Sequence, residues 1–119
     1  DCITECHLIN NRHWKYEVEG KEEVQFMKYE VNGHYDWHID IGSHRHNKRK
    51  LSFVIPLSDP DDYEGGELIL KSSSKETSIP LKKGTIILFP SFMLHKVTPV
   101  SKGKRYIIAG WLNGKSPLS

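Results

Sequence analysis

The sequence predicts an all-β fold, a double-stranded β-helix of the jelly-roll or cupin-like kind with at most a short N-terminal helix. Short apolar or alternating runs recur along the chain, turn-forming residues separate them at regular intervals, and helical periodicity is almost absent. Eight or nine strands closing into packed antiparallel sheets match that pattern.

Taken in order, a helix over 3–10 is the one helical segment expected, ahead of a first strand at 14–18. Glu19-Gly20-Lys21 turns the chain into a strand at 24–29, and Asn32-Gly33 into one at 35–39, because glycine and asparagine accept the conformations that tight turns need. Further strands are expected at 51–57, 67–70, 77–81, 85–89, 95–98 and 104–112. Between them lie Gly65-Gly66, the run from Ser72 to Ser74, Lys82-Lys83-Gly84 and Lys102-Gly103. Ile86, Ile87 and Leu88 follow one another without alternation, the pattern of a strand covered on both faces. Pro56, Pro60, Pro80, Pro90 and Pro99 fall near strand ends, where a missing N–H breaks no ladder bond.

A chain of 119 residues holds one hydrophobic core but not two, so a single domain over 1–119 is expected, with its core at about 24–113. Hydrophobic residues at 37% and charged residues at 27% exclude the disordered and fibrous classes. No apolar stretch approaches the roughly 20 residues of a membrane span, and no basic start followed by an apolar run marks a signal peptide. Cys2 and Cys6 are too few for a disulfide framework and lack zinc-site spacing, so they are expected to be reduced thiols in a cytoplasmic protein. A net charge of +2 gives no case for a nucleic-acid partner, and a monomer is expected. The basic run at 44–50 and the acidic group of Asp59, Asp61, Asp62 and Glu64 are expected to be solvated loops. Attraction of an acidic substrate segment is the other role open to the basic run.

Chemistry concentrates at His38-Ile39-Asp40. Residues i and i+2 of a strand share a face, so His38 and Asp40 are expected to reach one ion while Ile39 turns away. His95, near a later strand, adds a third ligand. Two histidines and one carboxylate occupy one face of a metal's coordination shell and leave other positions open, the arrangement of a non-haem iron oxygenase. Arg105, Ile107, Ala109 and Trp111 share one face of the last expected strand, and a buried arginine there needs an anionic partner. A structural zinc site closes with four protein ligands, and three good candidates are present. A non-catalytic jelly-roll metal-binding module remains an alternative, as does an oxygenase acting on a nucleic acid or a small molecule.

From Tyr29 to the Trp111 strand the chain resembles the 2-oxoglutarate- and Fe(II)-dependent dioxygenases, in their prolyl 4-hydroxylase-like branch. The residues that carry the resemblance are Gly33-His34-Tyr35-Asp36-Trp37-His38-Ile39-Asp40, the run from Arg49 to Ser58, Gly84-Thr85 through Ser91, His95 to Val100, and Gly103-Lys104-Arg105-Tyr106. Asp59-Pro60-Asp61-Asp62-Tyr63-Glu64-Gly65-Gly66-Glu67-Leu68 is similar to the PKHD-type hydroxylases. The resemblance implies that His38, Asp40 and His95 are catalytic and bind Fe(II), that Arg105 pairs with the far carboxylate of 2-oxoglutarate through two parallel donors, and that Tyr29 contacts the same co-substrate. It implies O₂-dependent hydroxylation of a C–H bond, above all of a prolyl residue in a peptide or protein. 2-Oxoglutarate would be decarboxylated to succinate and CO₂, and ascorbate is a further cofactor that the resemblance allows. Tyr35, Trp37 and Trp111 are candidate substrate or pocket residues. Retention of Asp40 favours hydroxylation over halogenation. Pro56 and Ala109 stand where some relatives carry tyrosine or threonine, which puts more of the carboxylate anchoring on Arg105.

Overall fold

Antiparallel pairing organises nearly all of the chain over residues 22–41 and 48–114, the residues that the computed structural model describes. The strands are β1 (Glu22–Tyr29), β2 (Tyr35–His38), β3 (Arg49–Pro56), β4 (Tyr63–Gly65), β5 (Leu68–Ser72), β6 (Lys75–Ile79), β7 (Ile87–Pro90), β8 (Leu94–Val97), β9 (Val100–Gly103) and β10 (Arg105–Asn113). One sheet has the order β1-β10-β3-β7, a second β2-β8-β5-β6, and β4 and β9 form a separate ribbon. This is the expected double-stranded β-helix. The expected helix at 3–10, the strand at 14–18, the cysteines, the Gly20 turn and most of the basic run lie outside the described residues. Among those described, no helix is long and apolar enough to cross a membrane.

The core sits between the two four-stranded sheets. Tyr29, Val54, Phe89, Ile107 and Ala109 from the first pack with Leu68 and Val97 from the second. Strand alternation places every second residue of β10 on this inner face, so Arg105, Ile107 and Ala109 are buried there, while Leu112 joins Leu51 and Phe53 in a second cluster. The unalternated run behaves as predicted: Ile87 packs into the inner cluster, and Ile86 and Leu88 into the second. Gly110 leaves room for the Phe53 ring, since a Cβ there would lie 2.2 Å from Cζ.

The turns follow the residues that tolerate them. Asn32 rather than Gly33 takes the left-handed conformation (φ 70°), while the Gly33 N–H bonds the Glu30 carbonyl at 2.7 Å. Ser73 (φ 54°) turns β5 into β6, as the serine run implied. The strand expected at 85–89 begins two residues later, because Thr85 stays in the preceding turn, with its N–H and hydroxyl both bonded to the Lys82 carbonyl.

β4 and β9 were not expected, and the reason is physical. Tyr63-Glu64-Gly65 and Val100-Ser101-Lys102-Gly103 are short and rich in glycine and charge, so neither carries an alternating pattern. Their close approach depends on Gly65 (φ +77°) and Gly103 (φ +78°), where a Cβ would come within 2.2 Å of the Pro99 and Asp62 carbonyl oxygens respectively.

Candidate metal centre

His38 and His95 are direct partners across the β2–β8 pairing, which brings their rings to a centroid separation of 4.1 Å. Asp40 lies two residues past the end of β2, tied back by its N–H to the Ser91 carbonyl at 2.9 Å. His38 Nε2 stands 3.4 Å and His95 Nε2 3.3 Å from the same oxygen, Asp40 Oδ1. Among the described residues these three form the group able to hold a metal ion, with their ligand atoms all within 4.8 Å of one another. Ile39 does not turn away as expected. It lines the cavity beside the metal group, because strand alternation has ended at His38.

Both imidazoles are oriented in the same manner. His38 Nδ1 lies 2.7 Å from the Asp36 carbonyl and His95 Nδ1 2.9 Å from the Met93 carbonyl. A carbonyl accepts only, so each Nδ1 carries a proton, and the bond it makes turns each Nε2 toward Asp40 Oδ1. Burial by itself lowers the His38 pKa, but the bonds to the Asp40 carboxylate and the Asp36 carbonyl outweigh it and leave it raised above 6.5. Burial likewise pushes the Asp40 carboxyl up, yet bonds from His38, His95 and Ser52 together with the charge of His95 hold it well below the usual carboxylate range. Asp40 is therefore an anion at neutral pH.

The other Asp40 oxygen is also occupied. The Ser52 hydroxyl and Trp111 Nε1, the latter at 3.0 Å, both donate to Oδ2. Trp111 thus does more than line the pocket. Tyr35 stacks on His38 with centroids 3.8 Å apart, and both face the cavity. Trp37 is not among the cavity-lining residues; its ring lies beneath Lys96 and Lys71, at 4.6 and 5.6 Å from their Nζ atoms.

His38, Asp40 and His95 line a cavity of about 590 Å³ that is also lined by Arg105, Tyr29 and Trp111. Arg105 is 1% exposed, and its Nε and Nη1 have no hydrogen-bond partner among the described residues. Tyr63 lies beside the guanidinium, and the Tyr29 ring centroid lies 5.1 Å from it. Burial lowers the Arg105 pKa while Tyr63 and Tyr29 raise it, and a guanidinium remains charged in any such balance. Burial pushes the Tyr29 phenol up against the pull of Arg105, which keeps the hydroxyl protonated and able to donate. A buried cation with two unsatisfied donors fits an anion with paired oxygens. The set of two imidazole nitrogens and one carboxylate fits a divalent iron ion. Sequence reasoning missed the contacts of Ser52, Ser91 and Tyr63; for Tyr63 the one available signal was its place in the run from Asp59 to Leu68.

Residues 24–113 match the family model of the 2OG-Fe(II) oxygenase superfamily. The chain belongs to that superfamily. It is 46% identical over 89 residues to a PKHD-type hydroxylase of Synechococcus sp. (strain CC9902), covering 75% of this chain and 40% of the relative. The chain spans half or less of the curated relatives it matches. Among solved structures, this oxygenase chain shares its fold with a prolyl-4-hydroxylase of Pseudomonas putida, at a TM-score of 0.78 and 24% identity over 95% of this chain and 63% of that one. It is also similar to a prolyl hydroxylase of Trichoplax adhaerens in complex with a hypoxia inducible factor peptide fragment, at a TM-score of 0.74 and 24% identity, covering 95% and 51% of the two chains.

Proposed function

We propose that this domain is an Fe(II)- and 2-oxoglutarate-dependent hydroxylase whose substrate is a peptide or protein, with a prolyl residue as its target. The observation that carries the reading is one cavity with a His-Asp-His group and a buried arginine whose Nε and Nη1 have no partner among the described residues. In it, His38 Nε2, His95 Nε2 and Asp40 Oδ1 hold Fe(II), and Arg105 takes the far carboxylate of 2-oxoglutarate with Tyr29 beside it. When bound, the iron and the 2-oxo acid supply O₂ activation, in which 2-oxoglutarate is converted to succinate and CO₂ and a substrate C–H bond becomes C–OH.

The work of the chain itself is positioning. The Nδ1–H bonds to Asp36 and Met93 fix both imidazole rings before a metal arrives, which lowers the cost of ordering the ligands. Arg105 is charged and buried beside Tyr63 and Tyr29, so a dicarboxylate enters a site already organised for it. Apolar neighbours in the cavity, among them Leu68, Val97 and Ile107, limit water around the reacting groups. Tyr35, exposed at 48% and stacked on His38, is placed to meet a substrate side chain at the open side. The likeness to a PKHD-type hydroxylase and to a prolyl hydroxylase bound to a peptide supports the choice of a peptide or protein.

The test is incubation of the protein with Fe(II), 2-oxoglutarate, ascorbate and a library of proline-centred peptides, followed by mass spectrometry. Succinate formation together with a one-oxygen mass gain at proline is expected. Absence of 2-oxoglutarate binding and of succinate with every peptide would remove the proposal.

A further inference from the structure

We propose that Ser52 and Trp111 are positioning residues that occupy Oδ2 of Asp40 and so restrict this carboxylate to offering a single oxygen, Oδ1, to the metal. The inference rests on the reading of His38, Asp40 and His95 as metal ligands, and goes beyond it by assigning why the carboxylate binds through one atom.

A carboxylate has about four acceptor sites, two on each oxygen. Oδ2 receives the Ser52 hydroxyl and the Trp111 indole N–H, which use both of its sites. Oδ1 faces the two imidazole Nε2 atoms at 3.4 and 3.3 Å. The division follows from strand register: Ser52 and Trp111 are paired directly across β3 and β10, so two donors from adjacent strands reach one atom. A slip of one residue in that pairing would turn one of them to the other face.

Each donor is itself held. Ser52 Oγ lies 2.9 Å from Ser91 Oγ, and these two residues are 2% and 0% exposed. The Ser91 main chain accepts from the Asp40 N–H at 2.9 Å and donates to the Lys50 carbonyl at 3.0 Å. A closed loop thus runs from the Asp40 main chain through Ser91 and Ser52 to the Asp40 carboxylate. On the opposite side the Arg49 guanidinium covers the Trp111 ring at 3.9 Å and donates to the Asp40 carbonyl at 3.3 Å. Rotation of the carboxylate to present both oxygens would break two partly buried hydrogen bonds at once. Oδ2 is likewise unavailable to a water molecule on the metal. One-oxygen ligation keeps free a coordination position that a two-oxygen carboxylate would fill, and that position is needed when a co-substrate and O₂ share the ion.

Binding of Co(II) alone, followed by its visible absorption, tests the inference without turnover, in the full chain and in the Ser52→Ala, Trp111→Phe, Leu88→Ala and Asp40→Ala variants. Trp111→Phe keeps a ring against Arg49 and removes only the N–H, so it carries the test if Ser52→Ala fails to fold. Ser52→Ala and Trp111→Phe are each expected to weaken Co(II) binding by about 10- to 100-fold, as lost outer partners of metal ligands do, and to change the Co(II) band shape because the carboxylate is free to turn. Leu88→Ala, which loosens packing in the second cluster, is expected to lower the melting temperature and leave the spectrum as it was. Wild-type affinity and spectrum in the folded Ser52 and Trp111 variants overturn the inference, and so does a spectral change in Leu88→Ala equal to theirs. Failure of the metal-site reading looks different: Asp40→Ala then binds Co(II) as tightly as the wild type.

Discussion

At His38 the chain sets its own dependence on pH. The folded-state pKa lies above 6.5, so in the metal-free protein the charged imidazole stabilises the fold below that value, and the contribution is lost as pH rises through the raised pKa. The Asp40 pKa is depressed, so its contribution is present above the ordinary 3.8 and is lost as pH falls through the lowered value. These two groups together stabilise the metal-free fold most between about 3.8 and 6.5. Metal binding runs the other way, because it needs the neutral imidazole and releases the proton. Titrations of Mn(II) or Co(II) at stepped pH are expected to show affinity falling as pH drops through the raised His38 value; a flat profile would count against His38 as a ligand. Arg105 makes a separable prediction: Arg105→Ala is expected to weaken 2-oxoglutarate binding by about 100-fold or more, the cost of deleting one side of a buried charge pair, with Co(II) affinity changed only a few-fold. Equal losses of both would contradict its placement. The grouping of His38, Asp40, His95 and Arg105 around one cavity was legible in the sequence because few residue types suit a metal ion or a dicarboxylate and their order is unusual. Ser52 and Ser91 were not, since neither a serine on a strand nor one in the turn after it has a distinguishing pattern, and their contacts exist only once β3 and the end of β7 meet the loop after β2.

Among the elements, the β4–β9 ribbon holds the arginine end of the cavity. Tyr63 on β4 lies beside the Arg105 guanidinium, and a Cβ on the adjoining Gly66 would lie 3.1 Å from Arg105 Cδ. Gly103 permits the ribbon, with φ +78° and the Asp62 carbonyl 2.2 Å from where a Cβ would stand. Gly103→Ala is therefore expected to cost about 1–3 kcal/mol from the strained conformation alone, and to weaken 2-oxoglutarate binding more than Co(II) binding. Chemical denaturation and the two titrations check it, and a variant as stable as the wild type would show that the ribbon tolerates a side chain there. The longer strands were legible because alternation and turn residues mark them, with ends displaced by one or two residues. The ribbon was hidden because its pairing comes from glycine conformations and close carbonyl contacts, which leave no hydrophobic period in the sequence.

Across the whole molecule, the candidate site exists only where the two sheets pack. The second sheet supplies His38 and His95, the first supplies Arg105, Tyr29, Ser52 and Trp111, and Asp40 sits just beyond β2 with bonds to the first sheet. No single hairpin contains the centre, so its chemistry depends on the inner core that joins the sheets. Residues on that core, such as Leu68 at 1% exposure, act on function through packing; cutting such a side chain to alanine typically costs about 2–5 kcal/mol. The sequence announced the candidate ligands and the jelly-roll pattern separately. Their meeting in one cavity is a property of the packed fold. The most direct test of that meeting is succinate production from 2-oxoglutarate by the wild type and by Asp40→Ala, each loaded with Fe(II) and supplied with proline-rich peptides. The account predicts succinate from the wild type and none above background from the folded variant, whereas undiminished succinate from Asp40→Ala would contradict it.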